Sequence, residues 1–208
     1  MKADEVSHPP LWACRPLGLA LALMVAKTVM AAGQSELSLS APLALPALMH
    51  DHLLVVTLFL MIDLFVQLRV RRGGPEFEAV GDRAMWFLLA MALVWVGASV
   101  PVAAALGAPA SLAELREHGG VLAVVQAGAS PATLLGAAVA VGAGLVSPRL
   151  LHRAPSRRVV PVAIIVGAVV AVAGPIGRES LSLGGLERDP FAVIIQATWQ
   201  GLQTITGP

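Results

Sequence analysis

Cysteine is almost absent from this chain of 208 residues: Cys14 stands alone, which excludes an internal disulfide, a CxxC redox pair and a thiolate metal cluster. Charge is scarce as well. Asp, Glu, Lys and Arg together make 13% of the residues, where soluble domains carry about 25%. Lysine occurs only at Lys2 and Lys27, and no G-x-x-x-x-G-K-[S/T] is present, so a P-loop nucleotide site is excluded. No C-x-x-C-H occurs, and no two histidines fall inside separate apolar runs to clamp a b-type haem. A G-x-S-x-G motif is also missing; Ser130, Ser147 and Ser180 have no activating group nearby in sequence. The arginines are dispersed over short connections and the formal net charge is +1, which speaks against a nucleic-acid partner.

Apolar residues fill the space instead. They make 57% of the chain, and the mean hydropathy is +0.79. Runs of about 20 such residues reach across a hydrocarbon core of roughly 30 Å. Spans are predicted near 12–32, 53–70, 84–107, 121–146 and 159–176, each bounded by charge, Gly or Pro. The expected fold class is an all-α integral membrane protein: one bundle of about five transmembrane helices, followed by an outer-face tail over 177–208. The first run has some marks of a secretory signal, with Lys2 and Arg15 ahead of an apolar stretch ending in small residues at 31–33, but Lys27 inside it fits a signal core poorly. Five spans do not divide into the equal halves of an inverted-repeat transporter.

Cytoplasmic loops are enriched in Lys and Arg. The connection after the second run holds Arg69, Arg71, Arg72 and Arg83, and that after the fourth holds Arg149, Arg153, Arg157 and Arg158. The connection at 33–52 has neither residue, and 108–120 has only Arg116. This asymmetry predicts a cytoplasmic N-terminus and a periplasmic or extracellular C-terminus in a bacterial-type inner membrane, with Trp12 and Trp86 at the inner interface. In the tail, Phe191, Ile195, Trp199 and Leu202 share a helical stripe, with Asp189 and Pro190 suited to a cap and a first helical position. Gln196, Gln200 and Gln203 favour an amphipathic helix on the outer surface or against a partner over a sixth span. Small residues at four-residue spacing in GAAVAVGAG (136–144) and GAVVAVAG (167–174) predict that the fourth and fifth spans touch.

Two clusters carry candidate chemistry. Asp63 lies eleven residues after His52, about 16 Å along a helix, which places it near the midplane. An acid there carries an insertion penalty of roughly 2.5–3.5 kcal/mol, so it must be shielded, protonated or paired. Gln67 shares its face, and Lys27 is the expected partner from the first span. One reading makes Asp63 a proton- or ion-carrying group, with Lys27, Gln67 and Gln126 along the route and Ser130 and Thr133 as further stations; the other makes Lys27–Asp63 a buried structural pair. Carbonyls freed by Pro101 and Pro131 would add polarity inside the spans.

The second cluster is Met49, His50, Asp51 and His52, with His118, at the predicted outer mouth. His and Met together suit copper, whereas His and Asp suit zinc. His50 and His52 share a face only in an extended segment, and Asp51 is a natural N-cap for a span starting at 53. The function expected from these features is a non-catalytic accessory subunit of a larger inner-membrane complex, such as a respiratory or membrane oxidase assembly. Its partners would be lipid, other membrane subunits and a periplasmic protein. The alternatives are a small proton-coupled transporter or channel working through Asp63, and a copper-handling protein using Met49, His50, His52 and His118.

Overall fold

In hydrocarbon every backbone N–H and C=O must be satisfied within the protein, so uninterrupted apolar runs of this length form helices. The computed structural model describes residues 10–33, 43–73, 75–180, 186 and 191. Over them it has seven helices and no strand: α1 Leu11–Ala32, α2 Ala44–Gly73, α3 Pro75–Leu106, α4 Leu112–Glu117, α5 Val121–Gly128, α6 Pro131–Arg153 and α7 Ser156–Ser180. Five of them are long and apolar enough to cross a membrane, over Trp12–Ala32, Ala44–Val70, Glu76–Leu106, Pro131–Arg153 and Val159–Ser180. The chain is a multi-pass helical membrane protein.

Helix ends depart from the expected spans where local chemistry overrides hydropathy. α2 starts at Ala44 and so takes in the segment His50–His52, which the sequence places before the span. Pro75 opens α3 at a first helical position, and Glu76 and Glu78 in its first turn favour the positive end of the helix dipole. The fourth run is not one helix but two. Ser130 Oγ accepts the Thr133 N–H while the Thr133 hydroxyl accepts the Ser130 N–H, and Pro131 has no N–H to continue α5. The chain therefore breaks at Ala129–Ser130, and α6 runs on to Arg153, past the expected end at 146.

α1 is the central element. It packs against α6, α2 and α3, while α7 packs on α2 and α5 on α3. α6 and α7 make no extended contact, which corrects the expectation that the fourth and fifth spans touch. Each uses its small residues on another neighbour. In α6, Gly136, Ala140 and Gly144 are buried; a Cβ on Gly136 would run into Val29 of α1, and one on Gly144 into Leu93 of α3 and Ala22 of α1. In α7, a Cβ on Gly174 would meet His50, and one on Gly177 the Leu43 carbonyl of the segment entering α2. Without a hydrophobic drive between helices in lipid, such close backbone approach is what makes dispersion contacts dense.

One end of the bundle gathers the start of α1, the end of α2, the starts of α3 and α7 and the end of α6, and it carries most of the arginines. The opposite end carries Lys27, His50, Asp51 and Arg178, and the short helices α4 and α5 pack over the far part of α3. There Val102, Ala110, Leu115 and Val124 form a small cluster of their own.

Candidate functional site

The most concentrated polar chemistry sits at the arginine-rich end. Arg15 and Asp63 both have fully buried side chains. Arg15 Nη1 donates to Asp63 Oδ1 at 3.0 Å and Oδ2 at 3.2 Å. Its Nη2 donates to Asp82, whose side chain is 43% exposed. One guanidinium thus joins α1 to α2 and α3, and its fork geometry suits two carboxylates at once. Gln67, one turn beyond Asp63, also reaches the Asp63 carboxylate. Trp86 lies between two cations: Arg15 Cζ is 5.4 Å from the ring centroid, and Arg149 Cζ of α6 is 5.5 Å from it.

Asp63 is paired, but not with Lys27. The sequence count assumes a span beginning at 53; with α2 starting at Ala44, Asp63 falls two-thirds of the way along it and meets the first turns of α1 instead of its far half. Lys27, twelve residues after Arg15, is about 18 Å further along α1. It is 1% exposed, and its Nζ donates to the Leu186 carbonyl, so the second buried cation of α1 ties down the segment after α7. Arg15 was legible only as a basic residue near a helix start. The signal that pointed further was the presence of two acids, Asp63 and Asp82, on neighbouring helices at the same end.

The other stations expected along a proton route are placed elsewhere. Gln126 is exposed on α5, at the opposite end. Ser130 and Thr133 are taken up by the capping box, and the Thr133 hydroxyl donates to the Gly128 carbonyl at 2.8 Å. The Pro101 carbonyl is closely covered by Gly128, where a side chain has no room.

At the far end, Met49 and His52 are buried, and His52 lines a cavity of about 140 Å³ between α1, α2 and α7. His50 lies against Gly174 of α7, and its buried Nδ1 has no hydrogen-bond partner among the described residues. Both histidines belong to one continuous helix, where positions two apart diverge, so the extended segment needed for joint chelation is not formed. Asp51 is not a cap; inside α2, it accepts a hydrogen bond from Arg178 of α7. His118 is the C-terminal cap of α4 and faces the Glu114 carbonyl at 2.8 Å. Among the described residues no group of three or more His, Cys, Asp or Glu is arranged to hold a metal ion.

No family model, curated protein or solved structure matches this chain. The site's geometry therefore carries the functional reading alone. Of the expected partner contacts, Phe191 packs against the chain's own core cluster; Ile195, Trp199 and Leu202 lie outside the described residues.

Proposed function

We propose that this chain is a non-catalytic accessory subunit of a larger membrane assembly, seated in a bacterial-type inner membrane with its arginine-rich end toward the cytoplasm. One observation carries the reading: the buried charges are used to hold the chain's own helices together. Arg15 bridges α1, α2 and α3 through Asp63 and Asp82, and Lys27 secures Leu186. Groups committed in this way stabilise a scaffold and are poorly placed to turn over a substrate. A respiratory or membrane oxidase complex fits such a subunit, and the end bearing Met49, His50, His52 and Arg178 would face a periplasmic or metal-containing partner. The arginine asymmetry supports the direction, since basic connections are retained on the cytoplasmic side.

The test is extraction from the native membrane in mild detergent and native mass spectrometry of the intact particle. A subunit is expected to fly with other polypeptides attached, well above 21.4 kDa. A lone chain or a homo-oligomer would overturn the reading.

One observation favours a second reading, transport coupled to Asp63. Asp82 is partly exposed and connects through Arg15 to the buried Asp63, a short polar entry from the arginine-rich end. If that entry conducts, Asp63→Asn abolishes proton or ion flux in vesicles containing the purified chain while leaving assembly intact. Unchanged flux in Asp63→Asn, or no flux in the wild type, removes this alternative.

A further inference from the structure

α6 and α7 are joined by a connection of two residues, yet they splay apart, α6 onto α1 and α7 onto α2, and the space between them is a groove of about 540 Å³. Its walls are apolar, with Leu17, Leu21, Met24, Leu150, Val162 and Val166 among them. Its size lies within the roughly 300–1,000 Å³ of small-molecule sites. The groove shares Leu17, Ala20, Met24, Ala163 and Val166 with the narrower cavity that reaches His52, so the two form one slot running from the arginine-rich end toward the far end of the bundle.

One wall position is polar. Ser147 is 7% exposed, lines the groove, and its Oγ has no hydrogen-bond partner among the described residues. A serine in a helix ordinarily returns its hydroxyl to a carbonyl one turn back. Ser99 does so to Val96 and Ser180 to Ile176. Ser147 leaves a donor open on the wall of an apolar slot, a position that calls for an acceptor supplied from outside the chain.

The connection between α6 and α7 is basic. Residues 150–158 contain Arg153, Arg157 and Arg158, and no Asp or Glu occurs between His118 and Glu179. Ser147 lies six residues before Arg153, about 9 Å deeper along α6. An anion at the level of the arginines, an ester carbonyl one to two turns below it and a hydrocarbon tail beneath are the parts of a phospholipid in that order. We propose that this groove is a binding site for one anionic phospholipid, its phosphate at the α6–α7 connection, an ester carbonyl accepting from Ser147 Oγ and an acyl chain along α1. A partner's transmembrane helix would bury the same walls and is the competing occupant that the experiment below distinguishes.

This site is independent of the accessory-subunit reading, which is decided by attached polypeptides and not by lipid. The experiment uses the full chain in mild detergent, titrated with phosphatidylglycerol or with phosphatidylcholine of identical acyl chains and read by native mass spectrometry. The expected result is one retained phosphatidylglycerol per chain, with a preference over phosphatidylcholine of about tenfold, the size of a charge-assisted contact. Ser147→Ala lowers retention of both lipids. The triple change Arg153→Gln, Arg157→Gln and Arg158→Gln abolishes the preference, and Ala163→Phe blocks the slot. Leu135→Phe, on an exposed face of α6 outside the groove, serves as the control and changes nothing. Should Ala163→Phe fail to fold, Ser147→Ala and the arginine changes carry the test. Equal retention of the two lipids, undiminished binding in these variants, or a polypeptide held in the groove in place of lipid would each overturn the proposal.

Discussion

Arg15 joins three helices through one side chain. It is fully buried, it hydrogen-bonds Asp63 on α2 and Asp82 on α3, and it lies over Trp86. Removing one member of a buried pair costs about 3–5 kcal/mol, chiefly because the other is stranded without compensation. The cost should be unequal here. Asp63→Leu leaves Arg15 its hydrogen bond to Asp82, whereas Arg15→Leu leaves two carboxylates facing each other. Thermal unfolding in detergent is therefore expected to show the larger drop for Arg15→Leu. The double variant Arg15→Leu with Asp63→Leu is expected to recover much of that loss, and simple additivity of the two single changes would show that the residues are not coupled. The sequence identified the need for a partner at Asp63 from the cost of an acid among apolar residues. It could not select Arg15 over Lys27, because that choice depends on depth, and depth depends on where α2 begins.

Among the helices, α1 and α6 show how small residues set the distance between elements. Gly136 and Gly144 face Val29, Ala22 and Leu93 with no room for a side chain, whereas nothing lies within 4 Å of where a Cβ on Gly142 would sit. Overpacking a tight interface costs about 1–3 kcal/mol. Gly144→Leu is accordingly expected to destabilise the bundle by that amount, and Gly142→Leu to leave the melting temperature nearly unchanged. Equal effects at the two positions would show that the stripe reflects composition and not contact. The break between α5 and α6 offers a second check at this scale. Ser130→Ala removes the side-chain half of the capping box, a loss of about 0.5–2 kcal/mol. Hydrogen exchange should then quicken at the first turn of α6 without changing at its arginine-rich end. The pattern of small residues was visible in the sequence, and so was the Ser-Pro step at 130–131. Neither identified the neighbour, since periodicity fixes which residues share a face and says nothing of what that face meets.

For the whole molecule, an odd number of spans puts the connection after α2 and the connection after α3 on opposite sides of the membrane. With Cys14 replaced by alanine, single cysteines introduced as Arg72→Cys and Glu117→Cys should react with a membrane-impermeant thiol reagent from opposite faces. The first is expected to be labelled only after the cytoplasmic face is opened. Labelling of both from one side would mean that the chain crosses the membrane an even number of times between them. The wild type should stay unlabelled from either face, because Cys14 is buried.

Composition and hydropathy alone determined that this is a helical membrane protein with five candidate spans, because the length and apolarity of a span are properties of contiguous residues. They also determined that Asp63 had to be sheltered and that most of the arginines fall in two connections. Only the tertiary structure decided that α1 is the hub, that Arg15 and not Lys27 answers Asp63, that α6 and α7 stand apart, and that Ser147 opens into the groove between them. Each of those outcomes is set by how far one helix is shifted and rotated against another, and in lipid that is decided by the close packing of surfaces drawn from distant parts of the chain.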